Sequence, residues 1–273
     1  MIKRVGGNLT VRAGAAPGAS VQLERDGYAL LADVLEAELI ARLSAEIADA
    51  FTCLPAERGR ADRAEFRYEM LNRSAACQEA VGHAAILAAI EPLLGEDCHV
   101  IANTAWWNPS SFAGGPWHCD AGPHVPRPEG VAWDERIPYP VFAIGAHLYL
   151  RDCPLICGPT AMVPGSHRSG RLPPFDRMND PALAYDGRAP VVLEVRAGDV
   201  ALFVSDAWHR GLPALPGGTG RLFLQAHYAR RDLAQRIRTT AEVNQLSDAA
   251  LARIRSPREK KLLGLHDPFF YDG

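Results

Sequence analysis

The sequence predicts a mainly β domain, a sandwich or barrel, that is braced by flanking helices. Two observations support this prediction. Apolar residues recur at helical spacing before His99, and helical composition returns after Asp232. The region between them contains short apolar segments separated by Gly/Pro-rich turns. Helices followed by many short strands are typical of a sandwich or barrel with helical support.

The first part of the chain supplies the helices. Tyr28–Leu31 is a short apolar strand, and the helix predicted after it has Asp33 as its expected N-cap. The charged stretch 56–69 is predicted to be a surface loop or a solvated helix. A second helix is predicted over residues 77–95, with Gly95 ending it.

Six later segments are predicted to be strands, namely 99–107, 141–150, 160–163, 191–195, 200–209 and 221–229. No internal repeat or linker interrupts the chain, so a single domain is expected. Its predicted parts are a loose N-terminal arm (1–20), helical support (21–95), a β core (96–230) and a C-terminal helical segment (231–273).

Composition argues against several classes of partner. The chain has 29 Lys and Arg against 32 Asp and Glu, a net charge of −3, and no basic block, so nucleic acid is not an expected partner. There is no apolar run of transmembrane length and no signal peptide, so no membrane association is expected. Six scattered cysteines favour the reducing cytoplasm. Cys153 and Cys157 are interpreted as buried small residues, with a structural zinc site as the alternative.

The stretch "PWHCD" contains a candidate metal site. Residues i and i+2 of a strand point to the same face, so His118 and Asp120 can bind one ion. His209 ends a later predicted strand and supplies a third ligand. Two imidazoles and one carboxylate match the set that holds Fe(II) and leaves room for a chelating cosubstrate and O2. The alternative is that Asp120 only caps a turn before Gly122.

Arg221 is the fourth residue of interest. It follows His209 by twelve positions, and the intervening "RGLPALPGGTG" is predicted to be a hairpin loop that brings the two strands together. The planar guanidinium suits a carboxylate. Taken alone, Arg221 would be read as a surface arginine on an edge strand; beside the metal set we favour a carboxylate clamp.

From Asp26 to about Tyr228 the chain resembles the phytanoyl-CoA dioxygenase-like branch of the iron(II)/2-oxoglutarate-dependent oxygenases. "RDGYALLADVLEAELIARL" resembles the opening strand and helix of that family, and "PWHCD" resembles its proximal metal motif. "CGPTAMVPGSHRSG" resembles its Pro-Gly-Ser-His turn, and "GDVALFVSDAWHRG" followed by Arg221 resembles its distal histidine and oxoglutarate-binding arginine.

The resemblance implies a double-stranded β-helix, a cupin-like jelly-roll barrel, as the core. It implies that His118, Asp120 and His209 hold Fe(II) and that Arg221 pairs with the C5 carboxylate of 2-oxoglutarate. It further implies that O2 is consumed, succinate and CO2 are released, and a C–H bond of a small metabolite or natural-product intermediate is hydroxylated. The partner is then a small molecule; the oligomeric state is not predicted.

Three further cosubstrate contacts are implied by the resemblance. His147 would line the cosubstrate site, and Thr160 would bond one of its oxygens, with an ordinary strand threonine as the alternative. Asn103 would supply a polar contact from the strand before the metal motif. Some relatives carry a serine two residues after the distal histidine; Gly211 stands there in this chain.

The segment 121–140 is long for a barrel connection, and such loops are often lids or binding loops. Trp133, Arg127 and Arg136 are candidate substrate contacts, with a solvated surface loop as the alternative. His124 is expected to be a loop or substrate-side residue.

Three alternative functions fit the sequence less well. A halogenase on this fold would lack the carboxylate ligand, and Asp120 argues against it. A cupin-like metal-binding protein without oxygenase activity is the main alternative, but it would not need Arg221. An inactive scaffold would not need the intact metal set.

Overall fold

The computed structural model describes residues 2–5, 8–11, 18–53, 65–235 and 246–266. The strands are β1 (Ile2–Val5), β2 (Asn8–Val11), β3 (Tyr28–Leu31), β4 (Glu65–Arg67), β5 (His99–Asn108), β6 (Ala143–Tyr149), β7 (Thr160–Met162), β8 (Val191–Leu193), β9 (Val200–Val204), β10 (His209–Gly211) and β11 (Arg221–Ala229). The helices are α1 (Gly18–Asp26), α2 (Ala37–Cys53), α3 (Met70–Arg73), α4 (Ala75–Val81), α5 (Ala84–Leu94), α6 (Asp248–Ala252) and α7 (Pro257–Leu262).

The β core consists of two antiparallel sheets. The larger sheet has the strand order β3-β9-β6-β11-β5-β4, and the smaller has the order β10-β7-β8. Strands β1 and β2 form a separate hairpin. The prediction of a mainly β fold with flanking helices is confirmed, and two packed antiparallel sheets are consistent with the jelly roll.

Alternation along the central strands creates two apolar layers. Outward-facing residues such as Leu148 and Leu202 pack with the helices in one cluster. Inward-facing residues such as Tyr149 and Phe203 pack with Met162 of the smaller sheet in a second cluster. Because side chains alternate between the faces, the inward-facing set also decides which residues reach the space between the sheets.

Gly145 allows a close contact on the inward face of β6. A Cβ added at Gly145 would lie 2.5 Å from the ring of Phe203, so the ring uses the space that a side chain would occupy. In this position Phe203 packs against the rings of His147 and His209, with centroid distances of 4.9 and 4.7 Å. The glycine therefore allows Phe203 to support two residues of the site described below.

Two helix predictions were wrong in detail. The predicted second helix is two helices, α4 and α5, which are separated at Gly82 and His83. Asp33 does not cap α2, because it has a φ of 51° and α2 begins at Ala37. The backbone N–H of Asp33 instead donates a hydrogen bond to Asp199, which links this turn to the start of β9.

Parts of other predictions fall outside the described residues. Of the charged stretch 56–69, residues up to 64 lie outside them, and the rest includes β4. The predicted N-terminal arm contains the β1–β2 hairpin and the start of α1, with residues 12–17 outside the described part.

The predicted strand 200–209 is interrupted by a turn between β9 and β10. Within the described ranges, no helix is long and apolar enough to span a membrane.

Candidate metal centre and its cavity

Three side chains converge between the two sheets. The candidate ligand atoms of His118, Asp120 and His209 all lie within 4.8 Å of one another. His209 begins β10, and His118 pairs with it through two backbone hydrogen bonds of 2.9 Å. This bridge fixes the two rings side by side, with a centroid distance of 4.3 Å. Asp120 lies two residues beyond His118, but the segment forms only this bridge and no regular strand, so the predicted strand over these residues was wrong.

Backbone carbonyls fix which nitrogen of each histidine faces the centre. Nδ1 of His118 lies 2.9 Å from the carbonyl oxygen of Pro116, and Nδ1 of His209 lies 3.0 Å from that of Ala207. A carbonyl oxygen only accepts hydrogen bonds, so each Nδ1 carries a proton. In the neutral rings, Nε2 is then the unprotonated nitrogen that can bind a metal. This arrangement is the usual support for a metal-binding imidazole.

The charges of the cluster suit a divalent cation. Burial alone would raise the pKa of Asp120, but His209 and His227 outweigh it and hold this pKa well below its usual range. Burial and the neighbouring His209 lower the pKa of His118, which favours its neutral ring. The ionised carboxylate of Asp120 and the neutral ring of His118 match the protonation states that metal binding requires. Burial alone would lower the pKa of His209, but Asp120 outweighs it and raises this pKa, so His209 must lose a proton when a metal binds.

Arg221, the first residue of β11, is buried beside this centre. Its Nη1 donates to Oγ1 of Thr160 at 2.8 Å. The amide oxygen of Asn108, with the amide turned toward the guanidinium, accepts from Nε and Nη2 at 3.0 and 3.1 Å. These contacts use three of the five N–H groups. The Tyr149 hydroxyl is a further hydrogen-bond partner of the guanidinium. Because Arg221 lines the cavity, its terminal nitrogens can face a carboxylate that is bound there.

His147 and Thr160, the predicted cosubstrate contacts, lie next to this arginine and line the same cavity. Nδ1 of His147 lies 3.4 Å from Oγ1 of Thr160, which in turn lies 3.1 Å from the hydroxyl oxygen of Tyr149. Burial and the positive charge of Arg221 hold the pKa of His147 well below its usual range. His147 therefore adds a neutral polar group to a region whose positive charge comes from Arg221.

The structure does not bring Asn103 to the site. Its side chain lies on the face of β5 that packs under the helices, where its amide donates to the carbonyl oxygen of Gln225 at 2.9 Å. Asn108 is a polar residue of β5 on the inward face, and it lies opposite Arg221 in the strand register. The sequence-based assignment selected the right strand and the wrong face.

Two polar inward-facing residues of β11, Gln225 and His227, were not predicted from the sequence. Nε2 of His227 lies 2.8 Å from Oδ2 of Asp120. Oε1 of Gln225 accepts a hydrogen bond of 2.6 Å from Nε1 of Trp106. Gln225 and His227 follow Arg221 at even spacing along β11, so the same alternation that places Arg221 inward would have indicated both.

These residues line a cavity of about 320 Å³, whose wall also includes Phe112 and Phe223. The candidate metal ligands and Arg221 all face this cavity. Cys153 and Cys157 are buried free thiols, and among the described residues they join no group of potential metal ligands. The cavity thus combines a candidate cation site with a candidate carboxylate site.

The loop 121–140 is tied to the turn that precedes His209. The carboxylate of Asp206 accepts from the backbone N–H of His124 at 3.1 Å, from Nδ1 of His124 at 2.5 Å and from the Tyr139 hydroxyl at 2.9 Å. His124 therefore supports the loop and is not among the residues that line the metal cavity.

The three candidate substrate contacts of this loop lie elsewhere. The guanidinium of Arg127 lies 5.5 Å from the ring of Trp133, and Arg136 is ion-paired with Asp134. Trp133 lines a separate cavity of about 450 Å³, while Arg127 and Arg136 line neither this cavity nor the metal cavity. The structure does not bring any of the three to the metal centre.

Comparison with known proteins identifies the family. The family model for phytanoyl-CoA dioxygenase (PhyH) matches residues 23–216, more than half of the chain. The chain belongs to the phytanoyl-CoA dioxygenase family. No curated protein sequence matches it significantly.

Solved structures share the fold of this phytanoyl-CoA dioxygenase family member. The epimerase SnoN, in complex with Fe3+, alpha ketoglutarate and nogalamycin RO, is 21% identical, with 84% of this chain and 92% of that chain covered and a TM-score of 0.62. The carbocyclase SnoK from nogalamycin biosynthesis is 17% identical, with 93% and 94% covered and a TM-score of 0.61. HygX from Streptomyces hygroscopicus, with nickel and 2-oxoglutarate bound, is 14% identical, with 84% and 97% covered and a TM-score of 0.63.

Gly211 is where this member departs from phytanoyl-CoA dioxygenase relatives that carry a serine, and the structure gives a reason. A Cβ at Gly211 would lie 2.3 Å from Nη2 of Arg221 and 3.1 Å from the ring of Phe112. The guanidinium therefore occupies the space that a side chain at this position would need. Thr160 and Asn108 hold the guanidinium there.

Proposed function

We propose that the protein is an Fe(II)/2-oxoglutarate-dependent dioxygenase that hydroxylates a C–H bond of a small metabolite or natural-product intermediate. One observation carries the proposal. The imidazoles of His118 and His209 and the carboxylate of Asp120 lie within 4.8 Å of one another and face the same cavity as the guanidinium of Arg221. A metal-binding protein without oxygenase activity would not need this carboxylate clamp beside its metal.

Each group of the chain has a distinct role in the proposed reaction. His118, Asp120 and His209 would hold Fe(II), with the Nδ1–H groups of both histidines fixed by backbone carbonyls. Arg221 would orient 2-oxoglutarate by its C5 carboxylate, and Thr160 would help to hold the guanidinium in place. Bound Fe(II) supplies the activation of O2 that couples loss of CO2 from 2-oxoglutarate, with formation of succinate, to oxidation of the substrate.

The walls of the cavity keep competing chemistry out. Phe203 and Phe223 pack against His147, with centroid distances of 4.9 and 4.4 Å, so apolar rings surround the cosubstrate region. Low polarity around Arg221 strengthens its attraction for a carboxylate. Since His147 stays neutral, it adds no second positive charge that would bind other anions in that region.

The size of the cavity favours a small substrate. About 320 Å³ lies at the lower end of the range for small-molecule sites. The separate cavity of about 450 Å³, which Trp133 and Trp208 line, also contains five arginines in its wall: Arg25, Arg168, Arg171, Arg177 and Arg188. Each of these arginines pairs with a carboxylate. The arginines therefore present little net positive charge to a polyphosphate group.

Hydroxylation is proposed as the default outcome of this chemistry. Nogalamycin RO in SnoN and hygromycin B in a HygX complex are natural products, which supports a substrate of that class. The names of SnoN and SnoK include epimerase and carbocyclase, and the same set of residues would support those reactions. A cytoplasmic location is also part of the proposal, supported by six cysteines without a disulfide.

The test is a substrate screen with purified protein, Fe(II), 2-oxoglutarate, ascorbate and air, read out as succinate formation. We expect a small-molecule substrate to stimulate succinate release and to gain one oxygen atom by mass spectrometry. His209→Ala is the control that should lose both signals. If the wild type forms no succinate with any substrate tested, the metal-binding alternative is favoured. A product with unchanged oxygen content would favour epimerisation or cyclisation.

A further inference from the structure

The two oxygens of Asp120 have different surroundings. Oδ1 is the atom near the other candidate ligands, 3.9 Å from Nε2 of His118 and 3.4 Å from Nε2 of His209. Oδ2 points the other way and lies 2.8 Å from Nε2 of His227. An ionised carboxylate only accepts hydrogen bonds, so Nε2 of His227 is the donor. One oxygen thus faces the metal position while the other is already hydrogen-bonded.

His227 is held firmly enough to fix this direction. It lies on β11, which is paired on one side with β5 and on the other with β6, and its partner across β6 is Gly145. The edge of the Phe203 ring faces it, with a centroid distance of 6.5 Å. The side chain is 15% exposed. Because His227 lies on a central strand, it moves little. It can therefore fix the orientation of the Asp120 carboxylate, which lies on a less regular segment.

We propose that His227 is a positioning residue that keeps Asp120 monodentate toward the metal. A carboxylate can bind an ion through one oxygen or through both. With one oxygen, the two histidines and Asp120 leave three octahedral positions, two for 2-oxoglutarate and one for O2. With both oxygens, only two remain, and the chelating cosubstrate fills them. The hydrogen bond to Oδ2 therefore preserves the position that O2 needs. This inference rests on the proposed function.

The first measurement counts the open positions without using turnover. Mn(II) replaces Fe(II), and broadening of its EPR lines in 17O-enriched water reports how many water molecules are bound to the ion. We expect three waters in the wild type and one after addition of 2-oxoglutarate. His227→Ala and His227→Leu, which lack the donor, should show one water fewer in each state. His227→Gln, whose amide N–H can reach Oδ2, should restore the wild-type counts.

The second measurement separates O2 use from cosubstrate binding. Loss of the donor should lower kcat by about 10- to 100-fold, as is usual for residues that support a metal ligand, and leave KM for 2-oxoglutarate nearly unchanged. His83→Gln is the control for loss of a histidine, because His83 lies at the start of α5 in the helical layer. If His227→Ala does not fold, comparison of the Leu and Gln variants gives the same information.

The outcomes are distinguishable from failure of the proposed function. A wild type that binds Mn(II) with these water counts but releases no succinate would overturn the proposed function and not the role of His227. Equal water counts in the wild type and in the Ala and Leu variants would overturn the positioning role. Two waters in the wild type, rising to three in His227→Ala, would show that His227 is itself a ligand and would also overturn it.

Discussion

Gly211→Ala tests the clamp with the smallest possible change. The new methyl group would lie 2.3 Å from Nη2 of Arg221, so the guanidinium must retreat by about 1 Å to reach an ordinary contact. Its hydrogen bonds to Asn108 at 3.0 and 3.1 Å and to Thr160 at 2.8 Å leave no slack for such a shift without loss of geometry. A displaced guanidinium should lose one of its hydrogen bonds to the C5 carboxylate of 2-oxoglutarate, which costs about 1.5–3 kcal/mol of binding free energy. We therefore expect KM for 2-oxoglutarate to rise about 10- to 150-fold.

The assay is succinate release as a function of 2-oxoglutarate concentration, with Mn(II) affinity measured in parallel. Metal affinity should stay close to that of the wild type, because the histidines and Asp120 are unchanged. Gly122→Ala is the matched control, since a Cβ there meets no atom within 4 Å. If KM in Gly211→Ala equals that of the control, the guanidinium is not held where the structure places it, and the explanation of the missing serine fails.

Four further outcomes are expected. His209→Ala should abolish metal-dependent succinate formation, and wild-type-like turnover would exclude its role as a ligand. Asp120→Asn should weaken metal binding, measured by titration, whereas near-normal affinity would show that Asp120 only caps a turn. Arg221→Leu should raise KM for 2-oxoglutarate by roughly 30- to several-thousand-fold, for a loss of ~2–5 kcal/mol, with metal affinity retained. Burial and Arg168 lower the pKa of His167 to about 4, so the free energy of unfolding should fall by about 3 kcal/mol as pH drops from 6.5 through 4; His167→Asn should show a smaller decline in denaturant titrations.

The positions of most strands along the chain could be predicted from the sequence, because strands and turns have local sequence signals. Alternation and Gly/Pro turns located most of the strands of the two sheets. The break between α4 and α5 was missed because its apolar spacing continues across Gly82. The conformation of Asp33 depends on a contact with Asp199, more than a hundred residues away, and no local pattern reveals such a contact.

The candidate site shows the same division. His118 and Asp120 lie at one site as predicted, although their segment forms only an isolated bridge and no regular strand. The loop 210–220 was predicted to be a hairpin, and this was wrong: β10 pairs with β7, whereas β11 pairs with β5 and β6 in the other sheet. Arg221 nevertheless faces the same cavity as His209. The position of Asn103 depended on strand register, which the sequence does not specify directly. The register places Arg221 opposite Asn108, and it is this pairing that turns Asn103 to the other face of β5. A consistent parity count from Arg221 would have found His227.

The three hydrogen bonds accepted by Asp206 divide the loop 121–140 into two fixed ends and a middle. Residues near His124 and Tyr139 are bound to the turn that leads into His209, so they cannot change position without disturbing a metal ligand. The middle, about residues 127–137, has no such connection to Asp206. Substitutions in this middle segment leave the turn before His209 in place, so the candidate metal centre should keep its geometry. Substitution of Asp206 would instead release both ends of the loop and the turn together.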